Sequence, residues 1–165
     1  GKEAELIQKD VMEKGWKEEL QSFSQAYDNL EFDSSLLLME KYGFISAQDI
    51  RYRKTVKAVQ AALYHKGLMY RYTAHDDFGT PSSAFTICTF WLIWALYVIG
   101  EKEEAQAIFE RIVTYSNSVG LFSEDLNFDT KTSLGNLPQA YSHLALINTA
   151  LLFSQEIPAS KFLMP

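Results

Sequence analysis

Apolar positions recur at helical spacing in several separate stretches of the chain, and alternation of period two never persists. The pattern predicts an all-α fold of about six helices, with no sheet larger than two short strands. The first helix covers roughly Lys2 to Phe23, interrupted or kinked near Gly15, with Leu6, Ile7, Val11, Trp16 and Leu20 as its apolar side. Asp33 reads as the N-cap of a short apolar helix from Ser34 to Lys41, which Gly43 ends. Ser46, with Asp49 three residues on, resembles a capping box opening a helix to about His65, before Gly67. The fourth helix, from Ser82 or Ser83 to Ile99, is apolar around most of its circumference and is therefore expected at the centre. Glu101 to Ser118 is amphipathic, with Ala105, Ile108, Phe109, Ile112 and Val113 inward and acids at the N-terminal end, where the helix dipole favours them. The last helix runs from about Pro138 to Ser154.

The connections alternate in length. Gly100 joins two helices almost directly, whereas 68–81 and 121–138 are long. Helix hairpins usually close with roughly 2–8 residues, so long ordered connections generally exist to build a site. In antiparallel hairpins around one axis, both long loops emerge at the same end, and one rim carries both.

Composition narrows the class. The chain has 165 residues, 47% apolar and 22% charged, which suits one globular domain or part of a larger one. With a net charge of −6 and no basic block, nucleic acid and an anionic membrane are poor partners. Cys88 is the single cysteine, which excludes an internal disulfide and any site built on several thiolates. The longest uncharged apolar stretch, Ala84 to Ile99, is shorter than the ~20 residues of a membrane-spanning helix. Lys2, Glu3 and Glu5 do not open a signal peptide, so the expected location is cytoplasmic.

Two loop segments carry candidate chemistry. In GLMYRYTAHDDFGTP, Tyr70 and Tyr72 flank Arg71, and Asp76 and Asp77 follow. Arg71 either donates hydrogen bonds to hydroxyls or carboxylates of a ligand, or pairs with one of these acids in a solvated loop. In GLFSEDLNFDTKTSLGN, Glu124, Asp125 and Asp129 are either surface charges or include a general base positioned on a water. His65, His75 and His143 share no metal-ligand spacing, and no metal or cofactor is expected. Ser142 and His143 diverge by about 100° on a helix, which argues against a nucleophile and base pair. Cys88 reads as an inert core thiol. Trp91 and Trp94 read as core unless one faces a cavity, where it would serve as a sugar platform.

Several strings together resemble the C-terminal half of the glycoside hydrolase family 15 catalytic domain, the family of glucoamylases, glucodextranases and some trehalases. They are FDSSLLLMEKYGFIS, GLMYRY, SAFTICTFWLIWAL, IGEKEEAQAIFE, GLFSEDL and LGNLPQAYSHLALIN, and the resemblance covers roughly residues 15 to 155. It implies about half of a six-fold α/α toroid. Residues 1–165 would form a single C-terminal portion, and an N-terminal half would be its partner. The implied reaction is inverting hydrolysis of an α-glucoside or oligosaccharide. Glu124 matches the general base, with Asp125 its rival. Arg71 matches the arginine that contacts sugar hydroxyls, with Tyr70 and Tyr72 beside it. Phe85 matches an aromatic wall of the subsite, Trp91 is a further substrate-binding candidate, and Ser142 matches a serine that hydrogen-bonds the base. Asp76 and Asp77 match a more variable acidic stretch.

Ser82-Ser83 departs from the Glu-Gly of many bacterial members. The family's general acid and its arginine-aspartate sugar-binding segment match nothing in this chain. A half toroid would leave inner helices such as 84–99 partly uncovered and prone to self-association. Two other readings compete: a non-catalytic helical-repeat interaction module, suggested by GEKEEAQAIFERI but lacking a fixed period, and a saccharide-binding remnant that keeps Arg71 and the aromatics.

Overall fold

A computed structural model describes residues 1–77 and 79–154; the final stretch of the expected unit, 155–165, lies outside the described residues. Five α-helices appear, α1 (Lys2–Lys14), α2 (Ile50–Leu63), α3 (Thr86–Val98), α4 (Lys102–Val113) and α5 (Ala140–Ser154), with a 3₁₀ helix at Ser34–Leu38. Between them lie seven two-residue strands: β1 (Trp16–Lys17), β2 (Ser22–Phe23), β3 (Tyr64–His65), β4 (Leu68–Met69), β5 (Ala84–Phe85), β6 (Asp125–Leu126) and β7 (Ser133–Leu134). The fold is mainly helical but not all-α, because β5, β6 and β7 form a three-stranded antiparallel sheet, one strand more than the apolar pattern predicts. Strands this short carry no legible alternation, and their pairing is set by what the flanking helices hold in place.

The first predicted helix stops early. Its last turn is closed at Gly15, whose N–H donates to Val11 O, and β1 and β2 then pair Trp16 with Phe23. Phe23 is buried, meets Trp16 edge-on at 5.4 Å between ring centres, and takes Thr55 Oγ1 as the acceptor for its N–H. That anchoring in the core overrides the helical spacing of residues 16–23. Leu6 and Ile7 remain 60% and 62% exposed on α1, so the predicted apolar side of that helix is not buried in this chain. Ser46 caps nothing helical, since its Oγ accepts from Gln48 N. Asp49 is the N-cap of α2, accepting from Arg51 N at 2.9 Å.

The core is built around α3, which packs against α2, α4, α5 and the 3₁₀ helix. Leu92, Ile93, Ala95 and Leu96 are completely buried, and each large aliphatic side chain contributes about 1.5–3 kcal/mol. Neighbours within the chain cover most of residues 84–99, leaving Phe85, Ile87, Trp91, Tyr97 and Val98 half-buried. The exposed apolar stripe lies instead on α5, where Tyr141, Leu144 and Ile147 are 60%, 59% and 54% exposed. No helix among the described residues is long and apolar enough to cross a membrane.

The two long connections are ordered. The first begins with the β3–β4 hairpin, whose turn is Lys66-Gly67 with φ of 47° and 87°. Two successive left-handed residues are the geometry of the tightest hairpin turns, which suits glycine at the second position. The second connection holds β6 and β7, joined by the loop 127–132. Asn127 organises that loop: its Oδ1 accepts from Asp129 N and Thr130 N, and its N–H donates to Thr132 O.

The 3₁₀ helix is fixed to α2 by the Tyr52 hydroxyl, which donates to Leu37 O at 2.7 Å while the whole side chain is buried. Tyr52→Phe leaves that carbonyl buried without its donor, and a loss of about 1–2 kcal/mol is expected in urea unfolding with an unchanged m-value.

Candidate functional site

Both long connections converge on the N-terminal end of α3. Phe85 precedes its first turn and supplies no side-chain cap, so the helix begins with open N–H groups. Glu124 O accepts from Thr86 N at 3.0 Å, which ties the second connection directly to the helix start. From the other side, Met69 N donates to Thr89 Oγ1 at 3.0 Å, and the Arg71 guanidinium lies 5.7 Å from the centre of the Trp91 ring.

Arg71 is held by a residue to which the sequence pattern assigns only a capping role. Asp33 Oδ1 accepts from Ser35 N at 2.7 Å, as the N-cap prediction requires, and both carboxylate oxygens also accept from Arg71 Nε at 2.9 and 2.8 Å. The expected partners for Arg71, Asp76 and Asp77, are replaced by Asp33 because an isolated bridge pairs Asp33 with Tyr72 and brings the strands together. Asp76 instead accepts from the Tyr72 hydroxyl, and Asp77 is exposed. The two terminal amino groups of Arg71 carry no bond to the described residues, leaving N–H donors in a fixed fork.

Alternation along the extended segment separates Tyr70 from Arg71. Tyr70 packs its ring on Phe128 at 4.3 Å and on His65 at 5.9 Å, on the opposite side from Asp33 and Trp91. The predicted subsite residues therefore divide: Arg71 lies near Trp91 in the second turn of α3, Phe85 sits in β5 just before that helix, and Tyr70 joins an aromatic cluster with Phe128 and His65. Phe85 pairs in register with Asp125, and both side chains are partly exposed.

Glu124 is placed by its backbone and by a Gly-Asn pair. Its N–H donates to Asn136 O at 2.9 Å, and its Oε2 accepts from Asn136 N at 3.2 Å and from Asn136 Nδ2 at 2.8 Å. Gly135 has φ of 69°, which favours glycine, and a Cβ there would stand 2.9 Å from Glu124 Oε2, so a side chain at this position would push the carboxylate aside. Oε1 carries no bond to the described residues. The only prior signal for Gly135 and Asn136 is the dipeptide itself, which reads as a turn.

The expected bond from Ser142 to the Glu124 carboxylate is absent. Ser142 is fully buried on α5 and its hydroxyl donates to Ser123 O at 2.9 Å. His143 assists from the next position, accepting from Phe122 N at its Nε2, while its Nδ1 side meets Gln139 O at 2.8 Å. These neighbours act together as a clamp on the backbone preceding Glu124.

Asp125 differs from Glu124 in environment. It is half-buried and accepts from the Ser83 hydroxyl, one of the serines at the departure from the family pattern. Burial pushes its carboxyl above the ordinary range, the Ser83 bond opposes that, and the neighbouring Glu124 charge adds to it. Below the site, burial pushes the Cys88 thiol up strongly, opposed by the Arg71 charge and a bond with Ser34, which makes it inert. Among the described residues no group of three or more His, Cys, Asp or Glu side chains stands ready to hold a metal ion. A hollow of about 370 Å³ lined by Tyr97, Lys102, Phe109 and Phe153 lies toward the other end of α3 and contains none of the candidate residues.

The mainly helical body carries two ordered connections that present an arginine and a pair of acids, and solved structures share its fold. The chain superposes on a wild-type glycosidase with a TM-score of 0.73 at 19% identity, covering 90% of this chain and 43% of that one. A glutamate-to-alanine glycosidase variant in complex with glucose gives a TM-score of 0.73 at 18% identity with the same coverage. The profile of glycosyl hydrolases family 15 matches residues 1–151, and the chain belongs to that family. Among its relatives are the trehalases of Mycobacterium tuberculosis, 37% identical over 90% of this chain, and of Thermoplasma acidophilum, 37% identical over 87%. The chain spans 22% and 25% of their respective lengths.

The raised Asp125 carboxyl gives a signed expectation. The folded state holds this proton more tightly than the unfolded state, so stability from this group is full below the ordinary carboxylate value of 3.8 and is lost as pH rises through the raised folded value. Asp125→Asn is expected to flatten that decline, and urea midpoints measured at intervals from pH 3 upward, side by side with the parent, provide the check.

Proposed function

We propose that this chain contributes one side of the active site of an inverting α-glucoside hydrolase, with the rest of a six-fold α/α toroid supplying the other. Inversion needs an acid for the departing oxygen and a base for water on the opposite face, their carboxyls about 6.5–9.5 Å apart. Glu124 is the base in this reading, and the acid belongs to the remainder of the body. The observation that supports it is the asymmetric tethering of Glu124, which is only partly buried: Asn136 holds one oxygen, and the other carries no bond to the described residues. A carboxylate so oriented can accept a proton from a positioned water. The free amino groups of Arg71 then orient sugar hydroxyls, with Phe85 and Trp91 beside them.

Trehalose is the substrate that the relatives favour, since those named above carry the name trehalase. The α5 stripe of Tyr141, Leu144 and Ile147, with Leu6 and Ile7 of α1, is where the remaining helices would pack. Alone, the chain is expected to self-associate through these residues and to hydrolyse no α-glucoside at a measurable rate.

In the complete enzyme, Glu124→Gln is expected to lower turnover by roughly 10²–10⁴, the usual worth of a general base, with substrate affinity nearly unchanged. Asp125→Asn is expected to cost much less. Turnover and binding measured separately for the two variants decide the assignment, and a more damaging Asp125→Asn would transfer the role of base to that residue.

A further inference from the structure

Behind the candidate site, the two hairpins that carry it are fastened to each other by a lysine. Lys131 lies in the loop between β6 and β7, and its ammonium donates to Lys66 O at 2.6 Å and to Phe128 O. The first acceptor belongs to the turn of the β3–β4 hairpin and the second to its own loop, so one cation bridges the two connections. Lys66 returns the bond, its ammonium pairing with Asp129. The Phe128 ring packs on Tyr70 at 4.3 Å and meets His65 edge-on at 5.1 Å, and Lys131 lies 5.4 Å from the centre of the Tyr115 ring on the C-terminal side of α4.

Both lysines have left-handed backbones, with φ of 47° at Lys66 and 60° at Lys131. Such a conformation costs a non-glycine residue roughly 1–2 kcal/mol and persists only where surrounding bonds enforce it. Here it turns each ammonium onto the other hairpin. The lever arms are short. Glu124 immediately precedes β6, its partner Asn136 stands two residues beyond β7, and Arg71 stands two residues beyond β4. A tilt of one hairpin against the other would displace the carboxylate relative to the guanidinium.

We propose that Lys131 is a positioning residue, whose ammonium, shared between the Lys66 and Phe128 carbonyls, sets the placement of Glu124 relative to Arg71. The proposal rests on Glu124 acting as the base. Displacement of a base by about 1 Å can cost up to 10²-fold in rate while sugar contacts elsewhere persist. Lys131→Met preserves the aliphatic stem over Tyr115 and removes the donor.

The test uses the complete enzyme with Lys131→Met and Glu124→Gln assayed in parallel on an α-glucoside, together with amide hydrogen exchange. The expected result is a turnover about 10- to 100-fold lower for Lys131→Met, KM within about twofold, and faster exchange confined to 125–134 and 64–71. Normal turnover in Lys131→Met beside an inactive Glu124→Gln overturns the positioning role and leaves the base assignment standing. A change in KM alone, or exchange that accelerates throughout α3, overturns it as well, because either marks a role in sugar binding or general stability. An active Glu124→Gln refutes the base assignment and this proposal together. Should Lys131→Met fail to fold, Lys131→Gln, with a shorter arm that keeps a donor, is judged by the same division between turnover and KM.

Discussion

A helix buried at its N-terminus has to find acceptors for its first N–H groups, and in α3 the flanking Phe85 has no side chain able to serve. The Glu124 carbonyl meets that need at Thr86. Most of what is distinctive in the molecule follows from this bond. For the carbonyl to reach the helix, residues 123–126 must lie alongside 84–85, which makes a small sheet in a helical protein. Pairing in that sheet then sets Asp125 opposite Phe85, and the returning strand brings Gly135 and Asn136 to the Glu124 side chain.

The same economy governs the arginine side. Asp33 begins the 3₁₀ helix and also binds Arg71 through Nε, so the carboxylate that terminates one element orients the guanidinium from another. Ser34 continues the connection, its hydroxyl donating to Tyr70 O at 2.7 Å and its N–H to Arg71 O at 2.8 Å. Local helix-start chemistry and long-range site assembly are thus carried by the same two residues. An N-cap pattern in sequence reports the first of these roles and is silent on the second.

What could be read from the chain divides along that line. The centrality of 84–99, the amphipathic run that became α4, the cap at Asp33 and the two long ordered connections are all local or periodic signals, and the folded chain carries them. Gly15 marked a break where α1 ends, but the non-helical course of residues 16–23 was not legible, because they keep a helical spacing and yield only to the anchoring of Phe23 by Thr55. Nor was the sheet, whose two-residue strands are too short for a period. Glu124 and Arg71 stood out as candidates only through family strings. Asn136, Gly135 and the Arg71–Asp33 pair depend on contacts between segments far apart in sequence, which spacing does not encode. Ser142 was found for the wrong partner: it touches the peptide before Glu124 and leaves the carboxylate to Asn136.

Cys88 occupies the floor under this arrangement, buried against Ser34 and within the influence of Arg71. Because it is the single thiol in the chain and is fully buried, a reagent that modifies cysteine reacts only when the elements around it part. Its modification rate is therefore a clock for those openings, reading the free energy that keeps the two loops shut over the helix without an introduced label.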